Sequence, residues 1–193
     1  MTRAIYLGSW RVDLSVRDRV IAPLPGMALA RCVASALGAG GAPAPASIGL
    51  ILSDDLELAR LNAEHLGKTG PTDVLSFPLL PPEAFPPHAG ALRLGRDPAA
   101  RSPAFALPPG RRTHLGDIVI SVERAIEQAG AGRGGQTGDV RWSAADEVRL
   151  LAVHGALHVC GWDHAEPIEE AAMRALEWRL LGAAGTPAHP GPA

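Results

Sequence analysis

Three features of the 193-residue sequence predict an α+β fold, a small mixed β-sheet of about four strands flanked by about five helices. Apolar and β-branched runs bounded by glycine and proline alternate with segments of helical spacing. The last third is helical throughout. One helix in that third is apolar nearly all round, which places it in the core. Hydrophobic residues make up 47% and charged residues 20% of the chain, so wholesale disorder is excluded in spite of 22 glycines and 18 prolines. The length suits a single domain, residues 1–181, and the small, proline-rich tail 182–193 is expected to be disordered.

Residues 4–12 and 47–52 read as strands. Between them, Met27, Leu29, Ala30, Val33, Ala34 and Leu37 mark a helix that ends at Gly38. Ser53 or Asp54 caps a second helix through Leu56, Leu58, Ala59 and Leu61, with Asp55 and Glu57 near its positive end and a stop around Gly67. The run PTDVLSFP, residues 71–78, is short and β-like, with prolines where strand ends tolerate them. Residues 80–112 form a long proline- and arginine-rich loop without periodicity, where poor order is expected. Residues 113–121, THLGDIVIS, are the best strand of the chain, followed by a helix through Val122, Ala125, Ile126 and Ala129 and a flexible connector over 130–138. Ser143 and Asp146 resemble a capping box before the buried helix 148–160. Gly161 ends that helix, and a last one after Pro167 carries Ala171, Ala172, Ala175 and Leu176.

No apolar run is long enough to cross a membrane, and the first residues lack a signal peptide's apolar stretch, so the cytoplasm is the expected location. Cys32 and Cys160, without a CxxC pair, exclude a disulfide framework and a cysteine-only zinc module. A net charge of −2 excludes a globally basic nucleic-acid coat. Locally the balance differs: Arg93, Arg96, Arg101, Arg111 and Arg112 stand against one acid, Asp97, in a stretch that is either a solvated loop or a phosphate contact.

The chemistry converges on residues 154–164, HGALHVCGWDH. His154 and His158 are i and i+4, so one helix face carries both imidazoles. A straight helix would turn residue 164 about 600° past residue 158 and off that face. Gly161 removes the difficulty, because glycine adopts the left-handed conformation that ends a helix and lets His164 fold back. H-x3-H-x2-G-x2-H is the ligand spacing of the extended zincin motif HExxHxxGxxH. Three histidines without a fourth protein ligand leave a position for water, as in a catalytic zinc site, and neutral ligands lower the pKa of that water toward about 7. Nickel and iron also suit imidazole. Where a zincin peptidase has its general-base glutamate, this chain has Gly155. Peptide cleavage needs that base for its amine leaving group, whereas phosphodiester cleavage depends more on charge stabilisation.

Other candidates have a plainer reading beside the chemical one. Asp163 is a second acceptor or proton shuttle, or equally a turn cap. Asp73 and Asp117 begin strands, where aspartate commonly bonds local backbone. His114 reads as an exposed strand-edge residue, and Cys160 and Met173 as core.

PTDVLSFP (71–78), GDIVIS (116–121) and the histidine motif (154–164), in that order, resemble the YbeY endoribonuclease family of bacterial rRNA maturation over about residues 48–181. The resemblance implies a single Zn2+ held by His154, His158 and His164 plus water. The implied activity is cleavage of single-stranded RNA in 16S rRNA 3′-end maturation and ribosome quality control. Its implied partners are the 16S rRNA precursor and the small ribosomal subunit, with no membrane and no small-molecule cofactor. Asp117 and Asp73 turn toward the cleft on this resemblance alone, and Asp163, Lys68 and Asp117 become the catalytic candidates. The family commonly has an arginine where this chain has Leu66; Lys68 is the nearest cation, but a lysine does not reproduce bidentate guanidinium geometry. A zincin-like peptidase and a zinc-stabilised, non-catalytic ribosome-assembly factor are the alternatives.

Overall fold

Residues 4–12 fold as a hairpin rather than one strand, so the sheet has five strands where the sequence predicts four. Leu7 pairs with Trp10 across the two-residue turn Gly8-Ser9, and Gly8 has φ +59°. The structure, a computed structural model, describes residues 2–89, 111–131 and 141–185. In chain order the elements are β1 (Thr2–Leu7), β2 (Trp10–Val16), α1 (Gly26–Ala39), β3 (Ala46–Ser53), α2 (Asp55–Leu66), β4 (Val74–Pro78), β5 (Thr113–Ser121), α3 (Val122–Gly130), α4 (Ala144–Val159) and α5 (Pro167–Ala183). A short 3-10 turn at Pro82–Ala84 follows β4.

The strand order is β1-β2-β3-β5-β4. The central strands β2, β3 and β5 run parallel, and the outer strands β1 and β4 are antiparallel to their neighbours. Strand alternation sends Val12, Leu14, Ile48, Leu50, Leu52, Ile118 and Ile120 into the main core with α1 and α4, and α5 packs against both helices. On the other face Ile51, Val119 and Leu75 meet Leu58 and Leu61 of α2 in a smaller cluster. One extra residue in β5 breaks the β3–β5 register between Ser47 and Gly49, opposite His114 and Asp117. The bulge returns Asp117 to the outer face alongside His114.

Both predicted helix caps form. The Asp54 carboxylate accepts the Glu57 N–H at 2.9 Å, and Ser143 Oγ accepts the Asp146 N–H at 3.2 Å. The front of the proline-rich loop is anchored rather than loose, because Phe85 is buried in the main core. Residues 90–110, with Arg93, Arg96, Arg101 and Asp97, lie outside the described residues, as do 132–140 and 186–193. The last helix runs through Gly182 to Ala183, past the predicted start of the tail. None of the described helices is long and apolar enough to cross a membrane.

α4 is pressed directly onto the sheet. Ser76 Oγ on β4 donates to the Gly155 carbonyl at 3.2 Å. A Cβ at position 155 would stand 2.6 Å from Ile118 Cγ2 and 3.1 Å from Ser76 Oγ. Ile118 is fully buried and its Cγ2 cannot swing aside. Gly155→Ala therefore overpacks this contact and lowers unfolding stability by about 1–3 kcal/mol, read by chemical denaturation; an unchanged midpoint contradicts the close approach.

Candidate metal centre

The last two turns of α4 carry His154 and His158 on one face, and the chain then reverses through a Schellman turn. Gly161, at φ +80°, donates its N–H to the His158 carbonyl at 3.0 Å, and the Trp162 N–H reaches the Leu157 carbonyl at 3.1 Å. The reversal has two effects. It brings the His164 ring within 5.5 Å of His154 and 5.0 Å of His158, centroid to centroid. It also sets the Trp162 carbonyl 2.9 Å from His158 Nδ1.

The second imidazole is fixed from another helix. Glu177 on α5, buried, places Oε1 2.7 Å from Nδ1 of His154, which is also buried. With both Nδ1–H groups donating outward, to a carboxylate and to a carbonyl, each ring turns the lone pair of Nε2 inward. The two Nε2 atoms are 3.0 Å apart, and one ligand atom from each of the three histidines lies within 4.8 Å of the others. Burial first, then the neighbouring His154 and His164, pull the His158 pKa down to about 3, so its ring is neutral. Convergent imidazoles, two of them with the outer nitrogen occupied, are the donor set of a borderline divalent ion, and the residues present fit one.

The three rings open onto a cleft of about 780 Å³ whose walls include Lys68, Asp73, Asp163, Glu170 and Arg174. Lys68 arrives on the loop after α2: its N–H bonds the Asn62 carbonyl at 3.3 Å, and Nδ2 of buried Asn62 donates to the Gly70 carbonyl at 2.8 Å. Leu66 stands on the same wall, 54% exposed. Asp163 lines the cleft while its Oδ1 accepts the His164 N–H at 2.8 Å, so it also braces the turn. Asp73 is held locally, with Oδ1 accepting the Val74 N–H at 2.9 Å.

Asp117 is not in the cleft, which corrects its expected catalytic placement. The bulge in β5 aims it at the outer sheet face, across from Phe77, with Oδ1 3.5 Å from His114 Nε2; its neighbour Ile118 faces α4 instead. His114 sits on that same outer face, 3.2 Å from Ser47 Oγ. Arg112 bonds the Ser9 carbonyl and lies over the Tyr6 ring, at the hairpin end of the sheet. Cys160 and Met173 are buried, as their core reading expects.

Glu177, Arg174, Glu170 and the Trp162 carbonyl escaped the sequence reading. For Glu177 a signal existed: a carboxylate one helical turn from Met173, on the face of α5 that packs inward. His88 also escaped it, stacking on Trp162 with ring centroids 4.2 Å apart.

The family model described as Endoribonuclease YbeY matches residues 27–185. The chain is similar to Endoribonuclease YbeY of Roseiflexus castenholzii, 33% identical over 175 residues that cover 90% of this chain and 92% of that protein. The protein of the same name from Salinispora tropica is 42% identical over 137 residues, 70% of this chain and 73% of its own length. That of Moorella thermoacetica is 35% identical over 157 residues, 81% and 85% of the two chains.

Two outcomes follow from this geometry. Glu177→Gln keeps the shape but removes the charge behind His154, and should weaken metal affinity by about 10- to 100-fold in chelator competition. The second concerns pH. His158 titrates near the ordinary imidazole value of 6.5 in the unfolded chain and at about 3 in the folded, metal-free protein, so the unfolded state takes up the proton first. Metal-free protein should lose stability as pH falls from about 6.5 toward 3, and His158→Gln should flatten the dependence of Tm on pH over that window.

Proposed function

We infer, from the premise that this chain belongs to the endoribonuclease YbeY family, that it is a metal-dependent endoribonuclease cutting single-stranded RNA. Its resident ion is zinc, and its substrate is the 16S rRNA precursor, matured at the 3′ end on the small ribosomal subunit in the cytoplasm. The observation that carries the hydrolase reading is the pair of Nε2 atoms 3.0 Å apart, each ring pinned through Nδ1, at the floor of an open cleft. The precursor, the subunit and the location rest on the family's role in rRNA maturation.

His154, His158 and His164 would hold a divalent ion, which would supply Lewis acidity at the floor of the cleft. The chain's own groups do the rest. Glu177 and the Trp162 carbonyl keep the protons on the two Nδ1 atoms, so neither ring turns away. Lys68 balances phosphate charge from the α2 side. Asp163, beside His164 on the cleft wall, is the carboxylate available to accept a proton from the attacking oxygen. A peptidase reading is disfavoured by Gly155, which packs against Ile118 and Ser76 and offers no base. A purely structural ion is disfavoured by exposed His164, which leaves one side of the site to solvent.

His164→Ala tests the reading with little disturbance to the core, because that ring is exposed. Wild-type protein should bind one equivalent of zinc and cleave a single-stranded RNA oligonucleotide but not casein. The variant should lose the zinc equivalent and at least 100-fold in cleavage, on the order of one orienting or ligating contact, with the Tm of the metal-free form unchanged. Casein cleavage without RNA cleavage would overturn the assignment.

A further inference from the structure

We propose that Arg174 on α5 binds the RNA phosphate next to the one being cleaved, a contact supplied from the opposite side of the cleft to Lys68; this rests on the endoribonuclease reading. The face of α5 toward the cleft carries Glu170, Met173, Arg174 and Glu177. Glu177 ends at His154, and Arg174 is three residues before it, about 4.5 Å along the axis and on the same side of the helix. The guanidinium thus stands one turn from the imidazole cluster, within reach of a phosphate flanking the reacting one.

Its own contacts prepare it for that use. Nε and Nη2 both donate to a single oxygen, Oε1 of Glu170, at 3.1 and 2.7 Å, so Glu170 grips the inner edge of the fork. The outer Nη1/Nη2 edge is left for a second, bidentate acceptor, and the side chain is 32% exposed. Charge points the same way. The cleft walls hold the carboxylates Asp73, Asp163, Glu170 and Glu177, and among the described lining residues the cationic side chains are Lys68 and Arg174. Lys68 is a point charge, and Leu66 puts an apolar side chain on the same wall. The guanidinium that can recognise a phosphate by its shape is therefore on α5.

The alternative is an ordinary helix-surface ion pair with Glu170, which touches stability alone. Zinc-loaded wild type, Arg174→Gln, Arg174→Lys and Glu170→Gln are compared on a fluorescent single-stranded RNA for KM and kcat. Binding of single-stranded DNA of the same sequence, which offers phosphates without 2′-hydroxyls, is followed by anisotropy over a range of salt. Arg174→Gln should raise KM and the DNA Kd by about three- to tenfold and reduce the salt slope of binding by about 0.7, with zinc content unchanged. Arg174→Lys should restore the salt slope but not KM, and Glu170→Gln should raise KM by a smaller factor. An Arg174→Gln protein that keeps wild-type KM, Kd and salt slope, with or without a change in Tm, overturns the proposal. Wild-type protein that neither cleaves the RNA nor binds the DNA removes the endoribonuclease reading itself, an outcome distinct from the first.

Discussion

The left-handed residue at position 161 is the constraint on which the site depends. A side chain at φ +80° would cost about 1–2 kcal/mol, and only with that dihedral does the chain close both bonds of the turn after α4. One reversal then serves two purposes. It returns His164 to the first two rings, and it aims a backbone carbonyl at His158. The helix ahead of it is buried on nearly every side, so the rings take their positions from packing against a rigid rod rather than from a flexible loop.

Packing carries that rigidity into the cleft. Ser76 ties edge strand β4 to the backbone of α4 at Gly155, so one wall of the cleft and its floor move as a unit. The opposite wall is α5, joined to α4 through the Glu177–His154 contact. That carboxylate is buried, and burying it is unfavourable unless a proton or a cation answers its charge. A divalent ion held by the three histidines would provide that answer, and its binding would then draw on the same free energy as folding.

What could be read from the sequence follows how local each determinant is. The three histidines and Gly161 lie within eleven residues, the Ser143 cap marks the start of the same helix, and helical periodicity connects them. Strand 113–121 is legible because the β-branched run Ile118-Val119-Ile120 sits between Gly116-Asp117 and the start of the next helical pattern. The hairpin was hidden because apolar residues continue on both sides of Gly8-Ser9, so composition alone did not separate two strands from one. Asp117 turns toward the cleft only on the family resemblance; alternation back from core-facing Ile118 and Ile120 puts residue 117 on the outer face. Glu177 acts on His154, a partner brought near by tertiary packing, and Arg174 pairs with Glu170 within α5, a helix with little amphipathic contrast to single out either charge.

Cys160 lies two residues beyond His158, close enough to invite competition for a thiophilic ion. Burial raises its thiol pKa to about 12 and packs its sulfur toward Gly40, on the side of α4 facing α1. At neutral pH almost no thiolate forms there, and the thiolate is the species that peroxides attack and soft metals capture. The protein ligands on offer are thus three imidazole nitrogens beside a sulfur kept inert, which spares the cluster the thiolate chemistry that would disable a cysteine-ligated one.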